Sequence, residues 1–281
     1  MAIRIVTDST SDIPYEDREK LGIDIVPLSV IFDGVRYGDG VELKKERFYQ
    51  MLEKCERLPT TSQVNPDGFE GLFNSYIDTG DDVIGIFISS KLSGTYQSAM
   101  VVKETLGSDR IHIVDSMSAT FGLALYVYEA IKLRDSGLPA REIYDRLISL
   151  RKRARLIAMV DTLKYLKMGG RLSTTEAVLG GMLHIKPLIA IIDGEVKSTG
   201  KERGQTAAFE NIARQIKEDM PDFDHPVLFG HSNAPDIMER FETYIRETAG
   251  VRPDRVFEIG CVIGTHTGPG CVGISYVSRK E

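Results

Sequence analysis

Cysteine is scarce: Cys55, Cys261 and Cys271 are the only three in 281 residues. An odd number without C-x-x-C spacing supports neither a disulfide framework nor a zinc knuckle and fits a reducing cytoplasm. Long apolar runs are missing too. The most apolar stretch, Val178 to Ile192, is broken by His184, Lys186 and Pro187, and the N-terminus reaches Asp8 and Asp12 before any hydrophobic run. Neither a signal peptide nor a membrane span is expected, and so no stable membrane insertion. The net charge of -6 gives no general attraction to phosphate backbones or anionic head groups, which argues against nucleic acid as a partner. Phosphate-binding fingerprints are absent as well: there is no G-x-x-x-x-G-K-[ST], and no G-x-G-x-x-G follows the first strand. Intrinsic ATP or NAD chemistry is therefore not expected, nor is any cofactor.

What is present is an ordinary globular composition, 42% hydrophobic and 27% charged, without low-complexity tracts. At roughly 100 to 200 residues per domain, the length suggests two lobes. Short β-rich runs alternate with helical patterns, which is an α/β signature. Strands are expected at Ile3 to Thr7, Val83 to Ile88, Ile111 to Val114, Leu156 to Val160, Leu188 to Ile192, Val227 to Gly230 and Val272 to Val277. Phe48, Met51, Leu52 and Cys55 stand at i, i+3, i+4, i+7, and Phe69, Leu72, Phe73 and Tyr76 repeat that spacing after Asn65, an N-cap, and Pro66, a first-turn proline. Both segments should be helices with one buried face. Asp193-Gly194 between two apolar runs reads as a two-residue hairpin, so the second half should hold a partly antiparallel sheet. The expected architecture is two-lobed α/β: a mostly parallel N-terminal domain over 1–160 and a mixed-sheet C-terminal domain over 161–281, with the ligand between them.

The strongest local signal is Ser89-Ser90-Lys91-Leu92-Ser93-Gly94-Thr95, a polar loop between a strand and a helix start. Ser93 is placed to cap that helix, and the amides of Gly94 and Thr95 at the positive end of the helix dipole would attract an anion. On this segment alone a plain cap is the simpler reading. Thr60-Thr61-Ser62-Gln63 offers hydroxyl donors for an oxyanion, or is an ordinary loop. Gly264-Thr265-His266-Thr267-Gly268-Pro269-Gly270 sets one histidine in a glycine-rich frame, suited to an anion contact or a proton shuttle. The early carboxylates Asp8, Asp12, Asp24, Asp33 and Asp39 are mostly explained by caps and turns, and no catalysis is assigned to them. The run Arg151-Lys152-Arg153-Ala154-Arg155 closes a helix, where positive charge complements the dipole. Arg171 follows Gly169-Gly170, a turn expected to project it from a mobile inter-lobe loop towards a partner.

Taken in order, Val6-Thr7-Asp8-Ser9-Thr10-Ser11-Asp12, Thr61-Ser62-Gln63, Ser89-Ser90 through Ser93-Gly94-Thr95-Tyr96, Gly169-Gly170-Arg171-Leu172-Ser173 and the His266 segment resemble the DegV family. The resemblance spans essentially the whole chain, 3–279 as one unit. It implies a long-chain fatty acid, such as hexadecanoate, in a closed apolar tunnel. The carboxylate would be held by the hydroxyls of Thr61 and Ser93 and by His266, with Ser62, Gly94 and Thr95 beside them and Arg203 near the head group. It implies a non-catalytic, cytoplasmic lipid-binding subunit whose partner, an ATP-dependent fatty acid kinase, makes an acyl phosphate for phospholipid synthesis. Arg171 matches the arginine associated with kinase contact. Two other readings remain: a stand-alone enzyme on a small phosphorylated or carboxylated metabolite, with Ser93 as nucleophile and His266 as base, and a lipid-sensing regulator without a kinase partner.

Overall fold

A computed structural model of the chain describes residues 2–172 and 184–280. Each strand expected from the sequence forms. In the N-terminal lobe, β1 (Ile3–Asp8), β2 (Ile23–Val26), β6 (Asp82–Phe87) and β7 (Ile111–Asp115) make a parallel sheet in the order β2-β1-β6-β7. A small antiparallel sheet, β4-β3-β5, joins β3 (Ser29–Phe32), β4 (Val35–Gly38) and β5 (Thr60–Ser62). Around them lie α1 (Arg18–Leu21), α2 (Lys45–Lys54), α3 (Asp67–Asp78), α4 (Thr95–Leu106), α5 (Thr120–Asp135) and α6 (Ala140–Leu150). The spacing of apolar residues in α2 and α3 does bury one face of each, through Phe48 and Leu52 and through Phe69 and Phe73. The expected cap before α3 shifts by one residue: Pro66 takes the cap position, and Asn65 contributes its carbonyl to Gly68 rather than a side-chain bond.

The C-terminal lobe is a six-stranded mixed sheet, β10-β9-β8-β13-β11-β12. Its strands are β8 (Ala154–Met159), β9 (Ile185–Ile192), β10 (Glu195–Arg203), β11 (Leu228–His231), β12 (Arg255–Glu258) and β13 (Val272–Val277). Its helices are α7 (Lys164–Met168), α8 (Gln205–Glu218), α9 (Pro235–Ala249) and α10 (Cys261–Thr267). Asp193 and Gly194, both at positive φ, close the expected hairpin between β9 and β10. The expected division between 160 and 161 is corrected by the sheet. β8 pairs with β9 and β13 inside the C-terminal sheet, so a cut after it would orphan a central strand. We place the boundary instead in the turn at 151–153.

One of the hydrophobic clusters spans both lobes. Helix α5 is apolar around its whole circumference, ten of its residues from Thr120 to Ala130 are buried, and it packs against β1 and β6 on one side and β8, β11 and β13 on the other. Such a helix is stable only when covered on every face. Helix α10, although it belongs to the C-terminal chain segment, lies against α2, β3 and β5 of the first lobe and α7 of the second.

Candidate functional site

Between the lobes lies a cavity of about 450 Å3, within the range of ~300–1,000 Å3 usual for small-molecule sites. Its floor follows from the pleat of β8 and β9. Ala158 pairs with Ile189, and alternate residues Leu156, Ala158, Ile189 and Ile191 face the cavity, whereas Ile157, Met159, Leu188 and Ala190 turn to the core beneath α8 and α9. The remaining wall comes from the start of α5 (Phe121), from α10 (Val262, Ile263) and from the segment after β6 (Ile88, Leu92). Phe121 sits directly over Gly230, where a Cβ would come within 2.1 Å of its ring.

Part of the wall is polar. Thr61, at the middle of β5, places its Oγ1 2.9 Å from His266 Nε2. The other ring nitrogen of His266 is buried with no partner among the described residues and lies against Gly169, where a Cβ would fall 2.2 Å from Nδ1. Burial, reinforced by the positive charge of Arg171, pushes the His266 pKa down to about 4, so the imidazole is neutral near pH 7. Arg171 donates from Nε to Leu92 O (3.1 Å) and from Nη1 to Gly169 O (2.7 Å), and burial lowers its pKa. Ser93 also lines the cavity; its hydroxyl lies 3.0 Å from Thr95 Oγ1 and accepts from the Thr95 N–H at 3.3 Å. Ser62 and Gly94 complete this polar region, with Gln63 packed so closely on Gly94 that a Cβ there would meet its Oε1 at 2.0 Å.

Several expectations are corrected by this geometry. His266 is not in a flexible loop but in the last turn of α10, whose chain reverses only at Gly268. Thr60–Ser62 is a strand on the edge of the small sheet rather than a loop. Gly94, not Ser93, holds the cap position of α4. Thr95 is fully buried behind the wall, where its Oγ1 accepts from Val64 N, so it is a structural tie and not a cavity residue. Arg171 does not extend from a projecting loop; its guanidinium turns inward beside His266, held by the carbonyls of Leu92 and Gly169. Arg203 ends β10, opposite Ile185, is exposed and is not part of the cavity wall. The pairing needed for a serine nucleophile is not made, since Ser93 bonds Thr95 and His266 bonds Thr61.

Sequence reasoning missed how the polar wall is held. Asp8, at the end of β1, accepts from Thr10 N (2.9 Å) and Ile88 N (2.8 Å), which ties the Ile88 to Gly94 segment to the first strand. Asp12 and Asp39 accept from Gly260 N (2.8 Å) and Cys261 N (3.0 Å), so two carboxylates of the first lobe hold the N-terminus of α10 while His266 stands at its other end. These carboxylates do act as caps, but across the lobe seam, which no local pattern signals. The packing of Gly169 on His266 also has no sequence signal beyond the glycine pair itself.

Fold and site together define a two-lobed α/β protein with a mainly apolar cavity between the lobes whose wall carries a hydroxyl, imidazole and guanidinium cluster. A family model described as "Uncharacterised protein, DegV family" matches residues 2–279, and the chain belongs to the DegV family. A DegV domain-containing protein of Caldanaerobacter subterraneus is 37% identical over 278 residues, covering 99% of both chains. Among solved structures, a fatty-acid-binding DegV family protein from Thermus thermophilus is 31% identical with a TM-score of 0.89, over 99% of this chain and 100% of that one. DegV from Bacillus subtilis, described as a fatty acid binding protein, is 30% identical with a TM-score of 0.84 over 99% and 100%. A stearic-acid-binding protein from Eubacterium ventriosum is 29% identical with a TM-score of 0.88, over 99% of each chain. Among the described residues no helix is long and apolar enough to cross a membrane.

Proposed function

We propose that this chain binds a long-chain fatty acid in the inter-lobe cavity and presents its carboxylate to an ATP-dependent kinase in the cytoplasm, which converts it to an acyl phosphate for phospholipid synthesis. The observation that carries the reading is a mainly apolar cavity between the lobes with a cluster of oxyanion donors, Thr61, Ser93, His266 and Arg171, in its wall. Burying ~15 methylenes at ~0.8 kcal/mol each supplies ample affinity before the costs of association are subtracted. The carboxylate must then be hydrogen-bonded, since an unpaired buried charge would cancel that gain. A neutral His266 and a cationic Arg171 meet this need without adding a second uncompensated charge. Extraction of the purified protein in organic solvent should release about one long-chain fatty acid per chain, read by mass spectrometry. A protein that is empty and also fails to take up such acids in titration would sink the proposal.

Arg171 decides how binding and presentation are divided. With its guanidinium on the cavity wall, Arg171→Ala is expected to weaken fatty acid binding as well as acyl phosphate formation with a cognate kinase and ATP. The loss of a hydrogen bond to a charged group corresponds to about tenfold or more in affinity. Lipid affinity and coupled turnover, measured on one preparation, check this. Unchanged lipid affinity with impaired turnover, rescued by more kinase, would return Arg171 to a partner-contacting role.

A further inference from the structure

A second cavity of about 250 Å3 adjoins the first. The pleat of β8 leads from one to the other: Ala158 and Ile189 line only the first, Leu156 and Ile191 line both, and Ala154 and Asp193 line only the second. Two aliphatic side chains therefore form a shared partition. The tip of the β9–β10 hairpin is pinned over the second cavity, since Ser89 Oγ donates to Gly194 O at 2.7 Å.

This cavity too has an unused polar group in its wall. Tyr126 is 1% exposed and lines this cavity. The Nε of Arg151, also in its wall, is buried and has no partner among the described residues. Within the same basic run, Arg153 pairs with Asp222 and Arg155 with Asp219, but Arg151 forms no ion pair among the described residues. Its place just after α6 explains a positive charge there, through the helix dipole, but not a buried N–H without an acceptor. An orphaned donor of this kind costs free energy unless something accepts from it. Lys152 at the rim adds a further cation, and the carboxylate of Asp193 lies at the exposed edge.

We propose that the second cavity is a polar subsite for the far terminus of an acyl ligand, so that the protein also takes long-chain α,ω-dicarboxylic acids. One carboxylate sits at Thr61, Ser93 and His266, the other accepts from Tyr126 and Arg151, and Leu156 and Ile191 give way between them. This rests on the acyl-binding reading above and deepens it. A plain acyl chain has no acceptor for the two donors, whereas a diacid satisfies both ends.

The test is calorimetric titration of lipid-stripped full-length protein, wild type and the Tyr126→Phe and Arg151→Met variants. The ligands are hexadecanoic acid, α,ω-diacids of increasing length, succinate and inorganic phosphate. The expected result is that a long diacid binds wild type and that each variant weakens it by about tenfold or more, the loss of one hydrogen bond to a charged group, with hexadecanoic acid unchanged. Tyr126→Phe keeps the core volume, and thermal unfolding confirms that both variants fold. Failure of every diacid to bind while hexadecanoic acid binds overturns the subsite, as does equal weakening of mono- and diacid in the variants. Binding of succinate or phosphate that depends on Arg151, with diacids excluded, identifies a free-anion site and overturns the acyl-terminus proposal. If hexadecanoic acid itself does not bind, the acyl reading falls first and this one with it.

Discussion

A methyl group added at Gly169 is expected to remove most of the affinity for a fatty acid while leaving the protein folded. The new Cβ would lie 2.2 Å from His266 Nδ1, 2.9 Å from its Cε1 and 3.1 Å from Tyr165 O. The backbone carbonyl cannot yield, because α7 is held by its own hydrogen bonds, including Gly169 N to Tyr165 O. The imidazole must therefore move, and with it goes the 2.9 Å contact to Thr61. Losing the Thr61 and His266 pair from a carboxylate site, at ~1.5–3 kcal/mol for a hydrogen bond to a charged group, predicts a loss on the order of a hundredfold in affinity for Gly169→Ala. Gly71→Ala is the control: nothing lies within 4 Å of a Cβ there, and in the middle of α3 alanine should be neutral or stabilising by up to ~1 kcal/mol. Fatty acid titration of both variants, with thermal unfolding, checks the contrast. Wild-type affinity in Gly169→Ala would show that the position of His266 does not matter to the head group.

The second large effect concerns the seam between the lobes. Asp12→Ala is expected to destabilise the protein by about 2–3 kcal/mol, because it leaves the Gly260 N–H and the Thr120 hydroxyl buried without their acceptor. Thr120 itself is held at φ 50, a left-handed conformation that its bond to Asp12 helps to fix. Asp12→Asn keeps an oxygen for Gly260 and should cost less. Its pH dependence is the sharper test. Burial pushes the Asp12 carboxyl up to about 7, so the folded protein keeps a proton that the unfolded chain, with an ordinary Asp near ~3.9, has already released. The stability due to that proton is full below the unfolded value and is lost as pH rises towards about 7. Asparagine has nothing to lose over this window, so the stability of wild type should fall relative to Asp12→Asn between ~pH 4 and ~7. Asp8, pushed by burial to about 6, acts in the same direction but is common to both proteins and cancels. Denaturant unfolding at a series of pH values measures the difference; a pH-independent gap would mean that Asp12 titrates alike in folded and unfolded chains.

Why some of the site was legible in sequence and some not follows from the range of each interaction. Strand β6, the loop through Ser93 and helix α4 are adjacent in sequence, so the apolar run, the hydroxyls and the glycine announce a turn with donors. The hairpin at Asp193-Gly194 is legible for the same reason, because two residues at positive φ are a local demand. His266 was picked out by its glycine neighbours, but those glycines do not loosen the chain. Gly264 and Gly268 instead let α10 pack against Tyr49 and Tyr165, contacts with segments about a hundred residues away or more. Arg171 and Arg203 show the same limit. A pair of glycines suggested a projecting loop for one and resemblance placed the other near the head group, while the carbonyls of Leu92 and Gly169 draw Arg171 in and the exposed end of β10 carries Arg203 out.

By itself the sequence determined the α/β class, the seven strands it marks with apolar runs, the hairpin, two amphipathic helices, the family and the hydroxyls and histidine that line the cavity, because periodicity, turn chemistry and motif order are local or cumulative along the chain. Only the tertiary structure decided where the lobes divide, that α5 is the core they share, that Asp12 and Asp39 of one lobe hold the helix that carries His266, and that Leu156 and Ile191 stand between two cavities. Each of those rests on side chains far apart in sequence meeting across the seam, and which residues meet there is set by how the two sheets pack against α5 rather than by any pattern within reach of a single turn or strand.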